Sequence, residues 1–243
     1  YLSGIENTVL KKKIGKNKFS LYKNNTSLLV FKNFIIFSDD RGTIFSINQL
    51  GKINWKKNIY KKAYKKIYKN LVFSVYDNII YVADNIGFIY AIDFNTGKLV
   101  WIKNHQIPLK SNIKIFKNKI FLMDQDNQIF CLTTKTGAKV WNLLSIESFI
   151  KSQNLMSLSL SNQGDLIAIN SSADLFNINI DNGNINWATN TSSTLYADET
   201  DFFKPSDIVI NNDEIVFSSS SSFFSYNIDD GAIKWQNPDN PYP

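Results

Sequence analysis

The stretch AIDFNTGKLVW (residues 91–101) sets a small residue, a side-chain acceptor, a Thr-Gly turn and a tryptophan in one short run. Its reading turns on whether it occurs once or many times, because self-similarity at a fixed period marks a repeat architecture. Gly-x-x-x-Trp returns as GKINW (51–55), GKLVW (97–101), GAKVW (137–141), GNINW (183–187) and GAIKW (231–235), using all five tryptophans of the 243-residue chain. Successive tryptophans lie 46, 40, 46 and 48 residues apart. The stretch is therefore one copy of a repeat.

Ahead of each glycine run three short segments rich in β-branched and aromatic residues, in the second copy LVFSVY (71–76), IIYVA (79–83) and FIYAI (88–92), with KLVWI (98–102) after it. Such runs, bounded by Asn, Asp, Ser and Gly, read as strands joined by tight turns. YDN, FKN and NQG supply residues that tolerate positive φ at hairpins. Four strands per repeat of this length predict an all-β fold, a β-propeller of four-stranded antiparallel blades. A twisted sheet cannot bury both of its faces alone, and radial packing of blades buries them. The expected blades are 26–57, 70–103, 111–142, 154–188 and 206–237, within a single propeller domain over 1–243. The strands nearest the axis should be almost wholly apolar and the outer strands more polar.

Each tryptophan sits on an outer strand at a fixed distance after a turn glycine, where an indole can stack on the neighbouring blade while its N–H finds an acceptor. Trp55, Trp101, Trp141, Trp187 and Trp235, with Gly51, Gly97, Gly137, Gly183 and Gly231, are accordingly read as structural docking residues.

These residues resemble the tryptophan-docking motif of propellers built from pyrroloquinoline quinone (PQQ)-like repeats, roughly Ala-x-Asp-x-x-Thr-Gly-x-x-x-Trp. Ala91, Asp93, Thr96, Gly97 and Trp101 match it throughout. The third copy keeps Thr136, Gly137 and Trp141 but has Cys131 and Thr133 for Ala and Asp. Asn179 and Asn227 replace the Asp in the fourth and fifth copies, and the first is one residue shorter, with Asn48, Gly51 and Trp55. The resemblance covers about residues 26–237 and is specific for the fold, whereas function is grafted onto such folds. One branch of the family comprises quinoprotein dehydrogenases holding PQQ and calcium on the ring axis. The other comprises non-catalytic, BamB-like scaffolds of outer-membrane β-barrel assembly. Adjacent cysteines, common beside the quinone, are missing here, and carboxylates fall mostly in turns, whereas calcium needs six to eight oxygens. The resemblance therefore implies the scaffold branch: a protein partner in the β-barrel assembly machinery, a periplasmic location, an outer-membrane anchor outside this sequence, and no catalytic residue, cofactor or metal. It also implies a larger ring of which these five blades are a part, with residues 8–22 as the outer strand of another blade.

Composition agrees with a globular domain, 44% hydrophobic and 20% charged. Residues 1–110 carry a net +13 and residues 111–243 a net −7. Part of the positive charge lies in NIYKKAYKKIYKN (58–70), where apolar pairs alternate with Lys61, Lys62, Lys65 and Lys66 at a period of four. That spacing would suit a basic amphipathic helix on an acidic partner or an anionic membrane. Because the stretch joins the outer strand of one blade to the inner strand of the next, it reads first as a long solvated connection whose tyrosines pack on the blade rim. A nucleic-acid surface would use more arginine than the single Arg41. His105, the only histidine, is expected in an exposed loop, and Cys131, the only cysteine, in the core. The acidic stretch ADETD (197–201) reads as a solvated loop and FSSSSSFF (217–224) as a low-complexity turn.

Overall fold

The computed structural model describes residues 28–144, 155–191, 205–219 and 222–237. The expected strand at 8–22 and the acidic stretch at 197–201 lie outside them. The described chain is a β-propeller arc of five four-stranded antiparallel sheets, each a meander of consecutive strands.

Blade 1 holds β1 (Leu29–Phe31), β2 (Phe34–Ser38), β3 (Thr43–Asn48) and β4 (Ile53–Asn58). Blade 2 holds β5 (Leu71–Tyr76), β6 (Ile79–Asp84), β7 (Phe88–Asp93) and β8 (Leu99–Asn104). Blade 3 holds β9 (Lys114–Phe116), β10 (Lys119–Met123), β11 (Ile129–Thr133) and β12 (Lys139–Leu143). Blade 4 holds β13 (Ser157–Leu160), β14 (Leu166–Ile169), β15 (Asp174–Ile178) and β16 (Ile185–Asn190). Blade 5 holds β17 (Val209–Asn211), β18 (Glu214–Ser218), β19 (Phe223–Asn227) and β20 (Ile233–Asn237). The first strands touch in the order β1, β5, β9, β13, β17, which puts them innermost.

Turn chemistry follows the residues named above. Asp77 and Asn78 both have positive φ between β5 and β6, as do Lys117 and Asn118 between β9 and β10. These are the backbone requirements of a tight hairpin turn whose twist matches its strands.

Four apolar cores fill the gaps between successive blades. Ile36, Trp55, Val82 and Tyr90 belong to the core joining blades 1 and 2, and Tyr81, Ile89, Ile120 and Leu132 to that joining blades 2 and 3. Phe121, Trp141, Leu158 and Ile178 lie between blades 3 and 4, and Ile167, Leu175, Phe217 and Tyr226 between blades 4 and 5. The second and third strands of each blade are the most completely buried, as in β6, β7, β14 and β15. The innermost strands are apolar in β1 and largely so in β5, whereas β9 and β17 carry Lys114 and Asn211, β13 alternates Ser and Leu, and β1, β9 and β17 are only half-buried or exposed. An inner strand is flanked by sheet on one side alone, whereas the middle strands have sheet on both sides and, in blades 2 to 4, a blade over each face. The outer strands are exposed and mixed in polarity, β4 and β12 carrying Lys or Asn around their tryptophans.

Candidate functional site

The repeated motif resolves into contacts between blades. Trp55 Nε1–H donates to the Phe94 carbonyl (2.8 Å), Trp101 to Thr134 (2.9 Å), Trp141 to Ile180 (3.0 Å) and Trp187 to Ile228 (2.8 Å). Each acceptor lies in the turn after the third strand of the following blade. The glycine of that same turn sits under the indole: a Cβ on Gly97 would stand 2.6 Å from Trp55 Cε3, and Gly137, Gly183 and Gly231 face Trp101, Trp141 and Trp187 in the same way. The positive φ of Gly97 (+67°) and the close approach both require glycine. Thus the glycine and tryptophan of one repeat belong to two different interlocks. Gly51 is buried at the first blade, while Trp235 on the fifth is 44% exposed with no following blade among the described residues.

Other motif positions acquire reasons. On the third strand, Ser46, Ala91, Cys131, Asn177 and Ser225 pair with the tryptophans, and a bulge follows each. Of these, Asn177 adds a donor of its own to the Ile228 carbonyl (3.2 Å). Asp93 Oδ1 accepts the Thr96 N–H (2.8 Å) and hydroxyl (2.6 Å), closing the turn that presents Gly97. The Thr96 hydroxyl holds the Asp93 carboxyl below its ordinary range. Asn48, Asn179 and Asn227 accept turn N–H groups at the corresponding place. Cys131 is buried under Trp141, and burial pushes its thiol up to about 12, so it behaves as core rather than as a nucleophile.

A second repeated device escaped the sequence reading. Buried Asp39, Asp84, Asp124 and Asn170 close the turn between second and third strands in four blades. Asp84 Oδ1 accepts N–H groups of Ile86 (3.0 Å) and Phe88 (2.8 Å), and Asn170 Oδ1 those of Ser172 and Asp174 (2.9 Å each). For Asp84 and Asp124 the interblade connection satisfies the other oxygen. Tyr60 O–H donates to Asp84 Oδ2 (2.7 Å), and His105 Nε2 lies 2.7 Å from Asp124 Oδ2. His105 is therefore not a loop residue in solvent; it stacks on Phe130 with centroids 4.3 Å apart, because the fully buried Asp124 needs a partner. Burial raises the Asp84 carboxyl above its ordinary value and the Tyr60 hydroxyl likewise. In blade 5, within the stretch read as a low-complexity turn, Ser218, Ser219 and Ser222 are buried.

The basic stretch is a connection from β4 to β5 whose one helical element is a 3-10 turn, Lys62–Tyr64, so the alternative of an amphipathic helix is not what the structure shows. Tyr60 and Lys69 pin its two ends inside the protein. Lys69 is buried, donates to the carbonyls of Tyr64 and Ile67, and lies over the Tyr60 ring (4.4 Å). Burial lowers its ammonium below the ordinary range. Between these anchors Lys61, Lys62, Lys65 and Lys66 are exposed, beside exposed Ile67 and Tyr68. The Arg41 guanidinium reaches the Lys66 carbonyl (3.4 Å), so this cationic strip shares a ring face with the turns between second and third strands.

The five innermost strands carry one charged residue, Lys114, and no carboxylate. Among the described residues no three His, Cys, Asp or Glu side chains gather to hold a metal ion. No helix among them is long and apolar enough to cross a membrane.

Meander blades joined by Trp-on-Gly contacts define a tryptophan-docked β-propeller. A family model described as "Outer membrane protein assembly factor BamB" matches residues 26–242, and the chain belongs to that family. BamB of Salmonella typhimurium is 28% identical over 109 residues, 45% of this chain and 26% of that protein. A quinoprotein ethanol dehydrogenase of Pseudomonas putida is 31% identical over 75 residues, 27% of this chain and 12% of that protein. The matched segments thus span well under two thirds of these relatives. The crystal structure of BamB from Moraxella catarrhalis superposes with a TM-score of 0.74 at 12% identity, over 89% of this chain and 65% of that one. Quinohemoprotein alcohol dehydrogenase from Comamonas testosteroni gives 0.65 at 13% identity, over 87% and 42%. At such identities these likenesses concern the fold.

Proposed function

We propose that this protein is a non-enzymatic scaffold which, in the periplasm, assists β-barrel assembly in the outer membrane. The observation that carries this reading is the family match running through all five blades. Blades locked by indoles on backbone glycines make a stiff arc, and its turns offer rigid loops to a partner, as loops on fixed scaffolds do. The contact surface proposed here is the face bearing Lys61, Lys62, Lys65 and Lys66, suited to an acidic protein surface or to anionic headgroups. The short stretch shared with quinoprotein ethanol dehydrogenase favours a second reading, a quinone-dependent enzyme, which the carboxylate-free inner strands oppose. Co-purification tests the proposal: tagged full-length protein, extracted from membranes of its own organism, should bring down the central barrel-assembly protein. Recovery without any component of that machinery would refute it.

A further inference from the structure

β8 is the outermost strand of blade 2, and its free edge is unlike the other four. Leu99, Val100 and Ile102 are 46%, 53% and 48% exposed, and the first lysine of the strand is Lys103. The corresponding strands interrupt their aliphatics with Lys56 and Lys57 in β4, Lys139 in β12, Asn186 in β16 and Lys234 in β20. Edge strands present unpaired N–H and C=O groups, and proteins ordinarily guard them with charge. Beyond the bulge at Val100 that it shares in kind with the other outer strands, β8 is poorly guarded.

Beside it a groove of about 530 Å³ runs between blades 2 and 3, lined by Tyr76, Asp77, Tyr81, Val100, Trp101 and Lys135. The polar ends of its two deeper rings are already used. Trp101 Nε1–H and the Tyr81 hydroxyl both donate to the Thr134 carbonyl, at 2.9 and 3.3 Å. What remains toward the groove is aromatic surface, suited to a bulky apolar side chain. Exposed Lys98, Lys103 and Lys135 surround strip and groove, with Asp77 on the rim and Asp93 held by Thr96.

We propose that the β8 edge and this groove bind an extended protein segment that pairs with β8 as a fifth strand. Its apolar residues alternate with carboxylates, one bulky side chain enters the groove, and the carboxylates meet the lysines. Main-chain pairing supplies affinity in such strand addition, and side-chain pockets supply selectivity. The site lies on the outer edge of the ring and does not depend on the partner proposed above.

The test uses the full-length protein and a short fluorescein-labelled peptide in which Val and Phe alternate with Glu, titrated by anisotropy. Binding should weaken by about tenfold or more with Val100→Glu, with Lys135→Glu, with Lys in place of Glu in the peptide, and with N-methylation of the peptide amides facing β8. Thermal midpoints of the variants, both at exposed positions, should match the wild type. Absence of binding, binding indifferent to N-methylation, or binding unchanged by both variants would overturn the proposal. So would a wild-type dimer that Val100→Glu dissociates, since a second copy would then be the occupant.

Discussion

The indole of Trp55 covers Gly97 of the next blade so closely that a single methyl group at Gly97 would stand 2.6 Å from Trp55 Cε3. Gly97→Ala should therefore destabilise the protein by about 3 kcal/mol, combining positive-φ strain with displacement of the ring. Removing the indole first should relieve the clash, so that in a Trp55→Ala background the same change costs about 1 kcal/mol. Urea unfolding of both single variants and the double variant measures this coupling; strict additivity would deny that the two residues interlock.

Burial ranks the tryptophans. Trp55 and Trp141 are 8% exposed, whereas Trp235 is 44% exposed. Trp141→Ala should cost about 3 kcal/mol or more, and Trp235→Ala in this chain under about 1 kcal/mol. Equal losses in denaturant midpoint would contradict the assignment.

Asp84 bears on acid response. Its buried carboxyl has a raised pKa, so its contribution to stability is greatest below the ordinary carboxylate range and is lost as pH rises through the raised value. Asp84→Asn keeps the acceptor for Ile86 and Phe88, as Asn170 does in blade 4, and should cost less than about 1 kcal/mol at neutral pH. Its stability relative to the wild type should improve as pH rises. Asp84→Ala, which strands two N–H groups and the Tyr60 hydroxyl, should cost about 3 kcal/mol. Unfolding curves from acid to neutral pH check both, and a pH-independent difference between Asp84→Asn and wild type would count against the buried charge.

The repeat was legible because each copy encodes both halves of an interlock, an indole and a glycine. What could not be read was which glycine serves which indole, since Trp55 reaches Gly97 rather than Gly51. His105 looked like a loop residue because the demand it meets, buried Asp124, arises only when blades 2 and 3 meet. The recurrence of Asp39, Asp84, Asp124 and Asn170 at the end of the second strand in four of the five blades was the available signal. The lysine stretch has helical spacing, yet buried Tyr60 and Lys69 hold its ends in a crossing from outer to inner strand. The groove beside β8 joins Tyr76 and Val100 to Lys135 of the next blade, an assembly with no local pattern.

Replacing Lys61, Lys62, Lys65 and Lys66 together with Gln should leave stability within about 0.5 kcal/mol per site, because all four are exposed. Binding to the partner or to vesicles containing phosphatidylglycerol should weaken. Wild-type binding should also decline with salt, exposed charges being screened over about 10 Å at 0.1 M. Identical wild-type and variant binding across a salt series would remove the stretch from the contact surface.

The full-length protein supplied with PQQ, calcium and a range of alcohols and sugars should neither bind the quinone nor reduce a dye. Turnover would favour the dehydrogenase reading over the scaffold.

The scaffold reading is tested most directly by photo-crosslinking inside cells, with a probe placed in the full-length protein at each rim loop in turn. Probes at Arg41, Lys61 and Lys65, on the face carrying the basic connection, should label the periplasmic portion of the central barrel-assembly protein. Probes at Asp77 and Lys117, in turns at the opposite ends of the strands, should not. Labelling confined to proteins outside the assembly machinery, or equal labelling from both faces, would contradict it.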